Sequence, residues 1–419
     1  LNALHPVVKT IVAGNFQAQF GQGLVFSSPF HLGRMSYVAS VGRTTEGLRR
    51  YTSVDGAGLH GIGTTLHFEK GATCIEMTAL YSLSKENDTL QRHVAGANLT
   101  IRHQKLRVGL TLAEKIYSDT LRYYHEHARY NQNYFRGIRQ TVVGANFRYN
   151  WGRVDVFGEV AAASNKRQWG WGTEMGVRTM PYRDVQLLLL YRYYSQAFDN
   201  TLGYAFAQTS RLNDEHGIYA GVAVDLLPQW RFSAYGDVFR FSGIKYGIPY
   251  YPSMGFDAML QTEFIPTAGA YDMNLRLRAR EKAKKQTYSA RYQLNWKVGG
   301  WHLRTQAEAN IVLNSEHNLT WGASVLQDVQ YAFYHLPLTL QARLQAFDAR
   351  KWDNRIYTYE HDVLYGFSIP AVYKQGFRAY INIRYKIIPS LSLYLRVSET
   401  LYYEGEHRTD IHLLLRTTL

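Results

Sequence analysis

The chain has 419 residues, 46% of them hydrophobic, a formal net charge of +14 and one cysteine, Cys74. A single thiol excludes an intrachain disulfide framework and a metal cluster built on thiols. The longest purely aliphatic run is Leu187–Leu190, far short of the roughly 20 apolar residues that a membrane-spanning helix needs.

Val7–Phe20 is the first extended stretch, interrupted by Gly14, and Gly21-Gln22-Gly23 is a turn signal. A long polar segment holding Arg34, Arg43, Arg49 and Arg50 then reaches Gly58. It reads as loop with one short strand near Met35–Val41. An ordinary connection is shorter, so the segment is either functional or hides strands. Residues 1–58 are thus read as a first strand plus a long loop, a candidate plug or lid, and residues 59–419 as a β-barrel.

From Leu59 onward a rhythm sets in. Tight turns are expected at Lys70-Gly71, Gln104-Lys105, Trp151-Gly152, Pro181–Arg183, Pro228, Pro266–Gly269, Gly299-Gly300, Leu336-Pro337 and Pro389-Ser390. Longer polar links alternate with them: Ser84–Gln91, Ser118–Gly137, Ser164–Gln168, Ser195–Glu215, Ser242–Gly255, Lys282–Gln286, Asn314–Asn318 and Tyr403–Thr409. Short turns on one side and long loops on the other are the pattern of outer-membrane barrels, with the turns periplasmic.

Period-two alternation supports the same reading. Phe377, Ala379, Ile381, Ile383, Tyr385 and Ile387 alternate with Arg378, Tyr380, Asn382, Arg384 and Lys386. Leu391, Leu393, Leu395 and Val397 follow on one parity, and Ile411, Leu413 and Leu415 close the chain on another such strand. An arginine at the bilayer midplane costs about 2–4 kcal/mol. Arg276, Arg278, Arg280, Arg291, Arg304, Arg343, Arg378, Arg384, Lys386, Arg396 and Arg416 are therefore assigned to the lumen. Inward acids are Asp155, Glu159, Asp225, Asp237, Asp272 and Glu308. Glu114 and Glu399 fall on the apolar parity, near strand ends. The 33 Tyr and 8 Trp suit membrane interfaces. A soluble all-β protein with tyrosine-rich strands is the competing reading of the composition.

One segment breaks the rhythm. Asp348–Gln375 contains the strand-like Tyr357–Ser368, yet a full extra strand would put the C-terminus on the wrong side. The segment is expected to tuck inward as a flap, with Tyr357, Tyr359, Glu360, His361, Asp362 and Tyr365 as flap or gate residues; a miscounted strand pair is the alternative. The fold class is all-β: a transmembrane antiparallel up-and-down barrel of about 20 strands, with 16–22 acceptable. A barrel that wide holds a water-filled channel or a plug.

Gly14-Asn15-Phe16-Gln17-Ala18-Gln19-Phe20-Gly21-Gln22-Gly23-Leu24 resembles a signature of a Bacteroidetes outer-membrane family described as helix-hairpin-helix domain-containing. Gly217–Gly221 with Trp230, Tyr235 and Asp237, and Arg355–Pro370, resemble it too. Asn15 stands where the family has Asp, and the chain ends on Leu419 rather than an aromatic residue. The resemblance implies the barrel portion of a longer protein whose other domain grips nucleic acid. It supplies no activity.

Candidate chemistry is sparse. A basic wall would attract anions; arginine–carboxylate pairs bracing the strands are the structural alternative, and the two are compatible. His125 and His127 could chelate a metal but read as surface loop. Glu360, His361 and Asp362 are either titratable gate residues or hydrogen-bonding anchors. No Gly-x-Ser-x-Gly nucleophile motif or phosphate-binding glycine loop occurs. No enzyme activity, cofactor or metal site is expected. The expected partners are outer-membrane lipid and other outer-membrane or periplasmic proteins. A channel with a basic lumen is the first functional reading, a filled-lumen subunit of an assembly or translocation complex the second, and a DNA-uptake pore the third.

Overall fold

The computed structural model describes residues 2–5, 7–27, 38, 40–42, 46–52, 58–86, 89–123, 128–165, 168–267 and 269–418. The chain forms two compact units. The first comprises Leu1–Thr52, Gly56–Ala223 and Tyr235–Phe256, and the second Ser53–Asp55, Val224–Ala234 and Asp257–Leu419. Among the described residues, one antiparallel sheet contains 22 strands, and no helix is long and apolar enough to cross a membrane.

In the first unit Val8–Gln19 pairs with Leu59–Lys70, and strand then follows strand through Val185–Tyr194, each hydrogen-bonded to its neighbour in sequence. In the second unit the same succession runs from Tyr271–Lys282 to Leu338–Ala349. Leu338–Ala349 then pairs directly with Lys374–Ile388, and Leu391–Tyr402 and His407–Thr417 complete the run. The intervening residues add no strand to this sheet; they contain the separate two-stranded pair Ile356–Tyr357 and Ala371–Val372.

Burial alternates along the strands in the sense opposite to that of a soluble protein. On Lys374–Ile388, Arg378 and Asn382 are each 5% exposed, whereas Phe377 is 41% and Ile381 57% exposed. On Leu106–Tyr117, Lys115 is buried and Leu110 and Leu112 are exposed. Water would drive the leucines in and the lysine out; hydrocarbon around the bare face reverses both preferences. Strands of about ten residues or more satisfy their backbone groups through their neighbours, as a bilayer demands. These properties define the fold class: an all-β transmembrane antiparallel barrel of the up-and-down kind, with an inward-folded segment.

Several local expectations change. Lys282–Gln286 is not a longer link. Ala283 and Lys284 take positive φ angles of 57° and 58°, so two residues suffice to turn the hairpin. The first stretch is preceded by a short strand, Asn2–His5, which pairs back on Val8 and Thr10. Most of Met35–Val41, with Arg34, Arg43, His125, His127 and Leu419, lies outside the described residues; the short strand of that long loop is Gly47–Arg50. The two acids on the apolar parity are each tied down. Glu114 meets Arg139 and the Thr141 hydroxyl across the strand pair, and Glu399 accepts from Thr409 and lies 3.2 Å from His407.

Ile381 sits at the centre of its strand on the bare face. Ile381→Arg is expected to destabilise the protein in lipid vesicles by about 2–4 kcal/mol in denaturant titrations. Phe377→Arg, four residues nearer the strand end, is expected to cost less.

Candidate functional site

In the second unit the cross-strand register sets charged residues side by side on the covered face. Arg291 lies opposite Glu308, Arg304 opposite Asp328, and Asp328 opposite Arg343. The contacts follow the register. Arg291 Nε donates to Glu308 at 2.8 Å. Asp328 accepts from Arg304 Nε at 2.7 Å and from Arg343 Nε at 2.5 Å. Arg278 Nε donates to Asp257 at 2.8 Å. Arg276 and Arg291 are directly opposite each other, an unfavourable pair of like charges. They diverge, Arg276 to the Gln261 side-chain carbonyl at 2.9 Å and Arg291 to Glu308.

The segment between Ala349 and Lys374 lies on this face and completes the network. Glu360 is fully buried. Its carboxylate accepts from Arg378 at 2.7 and 3.0 Å and from Arg396, and lies 3.8 Å from Arg343. Tyr380 stands between two of these cations, its ring centroid 5.3 Å from each of the Arg343 and Arg396 guanidinium carbons. The segment's backbone is held as well. The Tyr357 carbonyl accepts from Arg291 at 3.4 Å, and the Tyr359 carbonyl from Arg304 at 3.2 Å and Arg343 at 2.6 Å. Asn382 donates to the Asp362 carbonyl at 3.1 Å, and the Asp362 carboxylate meets His412 at 2.7 Å.

The segment repeats the period-two pattern of the strands beneath it. Ile356, Thr358 and Glu360 are buried against the sheet, while Tyr357 and Tyr359 are 46% and 43% exposed on the other side. The His361 ring packs edge-on to Tyr359 at 5.6 Å. Tyr365 is half-buried at a positive φ of 71°, beside the turn closed by Gly366 N–H donating to the Val363 carbonyl. Arg280 is half-buried on its strand. Arg384 is exposed, stacked over Tyr394 at 5.7 Å, and Arg416 lies opposite Ser392. The structure thus brings Arg291, Arg304, Arg343 and Arg396 together with the flap residues, and leaves Arg276, Arg384 and Arg416 outside that cluster.

The parity rule would also have found Asp328 and Asp257, which the sequence reading passed over. Glu360 is among the expected gate residues, but nothing in the sequence spacing points to Arg378 and Arg396 as its partners, because loop docking decides them.

The first unit carries its own inserted segments on the covered face. Glu159, 2% exposed, accepts from the backbone N–H groups of Gln22 and Leu24 at 2.5 and 3.2 Å. Gly21, at φ 57°, lies so close that a Cβ there would meet the Glu159 carboxylate at 2.6 Å. Asn200 donates to the Leu24 and Val25 carbonyls at 2.7 and 2.8 Å. Leu24, Val25 and Phe26 join Phe198 and Leu202 in a buried apolar cluster. Arg192, fully buried, is bracketed by Glu215 at 2.7 Å and Asp237 at 2.8 Å. Residues 195–214, expected as an external loop, therefore pack inward with residues 20–27.

No protein-family model matches the chain, and no curated protein matches it. Solved structures similar to it include the ferric-catecholate import receptor Fiu from E. coli K12, at 7% identity and TM-score 0.39, covering 84% of this chain and 78% of that one. Pseudomonas aeruginosa OccK11 is similar at 10% identity and TM-score 0.40, covering 82% and 93%. The copper transporter OprC is similar at 9% identity and TM-score 0.47, covering 82% and 65%.

Two predictions follow from this network. Glu360→Gln removes the carboxylate to which Arg378 and Arg396 donate, leaving them, among the described residues, only the Asp410 and Asp362 carboxylates at 4.0 and 3.9 Å, and is expected to lower unfolding stability by about 3–5 kcal/mol in a urea titration. His361 has its pKa lowered from the ordinary 6.5, first by burial and then by Arg304, Arg343 and His302, with Asp328 opposing. Its docked form is the neutral imidazole. The stabilisation is fully present above pH 6.5 and is lost as pH falls through the lowered value. Amide-exchange protection of residues 357–362 is expected to drop between about pH 7.5 and about pH 5, and to drop less in His361→Gln.

Proposed function

We propose that the protein is a gated transport barrel of the Gram-negative outer membrane, with residues 350–373 as its gate, shorter than the expected Asp348–Gln375 because both ends of that range pair in the sheet, and with Glu360 as the residue that fastens it. The observation that carries this reading is the docking of the segment on the polar face through Glu360 and the Arg343, Arg378 and Arg396 side chains. Hydrogen bonds and ion pairs hold it there, and the sheet strands pair without it. Docked, the gate sets the Glu360 carboxylate against Arg378 and Arg396 and near Arg343, which also pairs with Asp328. Undocked, it exposes them to the aqueous path, where a local excess of positive charge draws anionic or polar solutes and slows cations.

A second reading has an observation in its favour. The apolar cluster of the first unit suits a permanently filled interior and a role as a partner subunit in an outer-membrane assembly. Planar-bilayer recording separates the two. A gated channel shows rare openings in the wild type and frequent anion-selective openings in Glu360→Gln and in a chain lacking residues 351–372. Silence in all three, with periplasmic or outer-membrane proteins co-purifying, contradicts the gate and supports the subunit.

A further inference from the structure

The hairpin formed by Leu59–Lys70 and Thr73–Lys85 carries a cluster that the gate does not use. Its tight turn at Gly71 sets His67 opposite Glu76 and Glu69 opposite Cys74. Alternation then puts all four side chains on one face of the hairpin. Cys74 Sγ is 3.4 Å from His67 Nδ1, His67 Nδ1 is 3.4 Å from Glu76 Oε1, and Sγ is 4.0 Å from the same oxygen.

We propose that His67, Cys74 and Glu76 bind a thiophilic transition-metal ion of the Zn(II) class. Zinc bonds of about 2.3 Å to sulfur and about 2.0–2.1 Å to nitrogen and oxygen give tetrahedral edges of roughly 3.6 Å for S–N, 3.3 Å for N–O and 3.5 Å for S–O. The three donors already stand close to that spacing. The other ring nitrogen, His67 Nε2, lies 3.6 Å from Glu69 Oε2. The negative charge on that side favours a proton on Nε2, the tautomer that leaves Nδ1 free to ligate. Three protein donors and an open fourth position describe an exchangeable ion rather than a closed structural site.

The surrounding charge selects the metal. Glu76 Oε1 also accepts from Lys9 at 2.5 Å and Arg102 at 2.6 Å. Two cations so close oppose a hard ion held by charge alone, such as Ca(II) or Mg(II). They are tolerable for an ion bonded through sulfur and imidazole. On binding, Cys74 loses its thiol proton to solvent and the thiolate takes the metal. Of the three donors Glu76 lines a cavity of about 440 Å³, with Lys9, Thr65 and Arg107, and the His67 side chain is 28% exposed. Sequence spacing gave no hint, because strand register and not a motif brings the donors together.

The test is Zn(II) titration of the refolded protein in detergent micelles against a chromophoric chelator, followed by Co(II) substitution. One Zn(II) per chain is expected, uncontested by Mg(II) or Ca(II). Cys74→Ser and His67→Gln should each weaken it at least about tenfold. Co(II) should give a thiolate charge-transfer band that Cys74→Ser abolishes. Circular dichroism checks that each variant keeps its β-sheet. If either variant fails to fold, Lys9→Met carries the test, since removing that repulsion should tighten Zn(II) about threefold or more. No uptake, uptake unchanged in Cys74→Ser and His67→Gln, or no tightening in Lys9→Met would overturn the site.

Discussion

A charge placed on the covered face of this sheet must be met there by a counter-charge or by hydrogen bonds. Arg343 and Arg396 are 3% and 1% exposed, and Glu360 is fully buried. Stranding one partner of such a set costs several kcal/mol, far more than an exposed pair contributes. The position of the segment at residues 350–373 follows. The strands beneath it supply Asp328 for Arg304 and Arg343, but among the described residues they offer Arg378 only Asp410 at 4.0 Å, and the direct carboxylate partner of Arg378 and Arg396 is the one that the segment brings. The segment is therefore part of the electrostatic closure of its unit. Its exposed tyrosines face away because Ile356, Thr358 and Glu360 must face in.

The first unit meets the same requirement by different means. Arg192 is satisfied between two acids of the strands themselves. Glu159 is satisfied by backbone N–H groups of an inserted turn, and the space above is taken up by an apolar cluster. The first unit thus adds a large apolar cluster and backbone bonds to an ion pair between Glu46 and Arg107, whereas the second adds a small cluster of Phe347, Ile356 and Val372 to its arginine–carboxylate pairs. The convergence of Arg343, Arg378 and Arg396 on the single carboxylate of Glu360 is why we propose the gate there.

How much of this the sequence discloses depends on what faces what. Where one face meets lipid and the other meets polar groups, as on Lys374–Ile388, alternation alone assigns every side chain. Where an apolar segment covers the inner face, the contrast vanishes. Leu187 and Leu189 are 40% and 54% exposed, yet Leu188 and Leu190 are buried, so the run Leu187–Leu190 reads as uniformly apolar. That uniformity was the available signal that residues 195–214 fold inward. The inward parity of the arginines was legible; their partners were not, because a carboxylate is chosen by register or by loop docking. The basic wall expected from parity is in large part a charge-matched one.

The central claim is that the apolar parity faces acyl chains and the charged parity does not. It is tested most directly by spin labels placed singly along residues 376–386, in a Cys74→Ser background, in lipid vesicles. Collision with membrane-dissolved oxygen is predicted to alternate with period two, high at Phe377, Ala379, Ile381 and Ile383 and low at Arg378, Tyr380 and Asn382. A flat profile, or one with the phase reversed, would contradict the account.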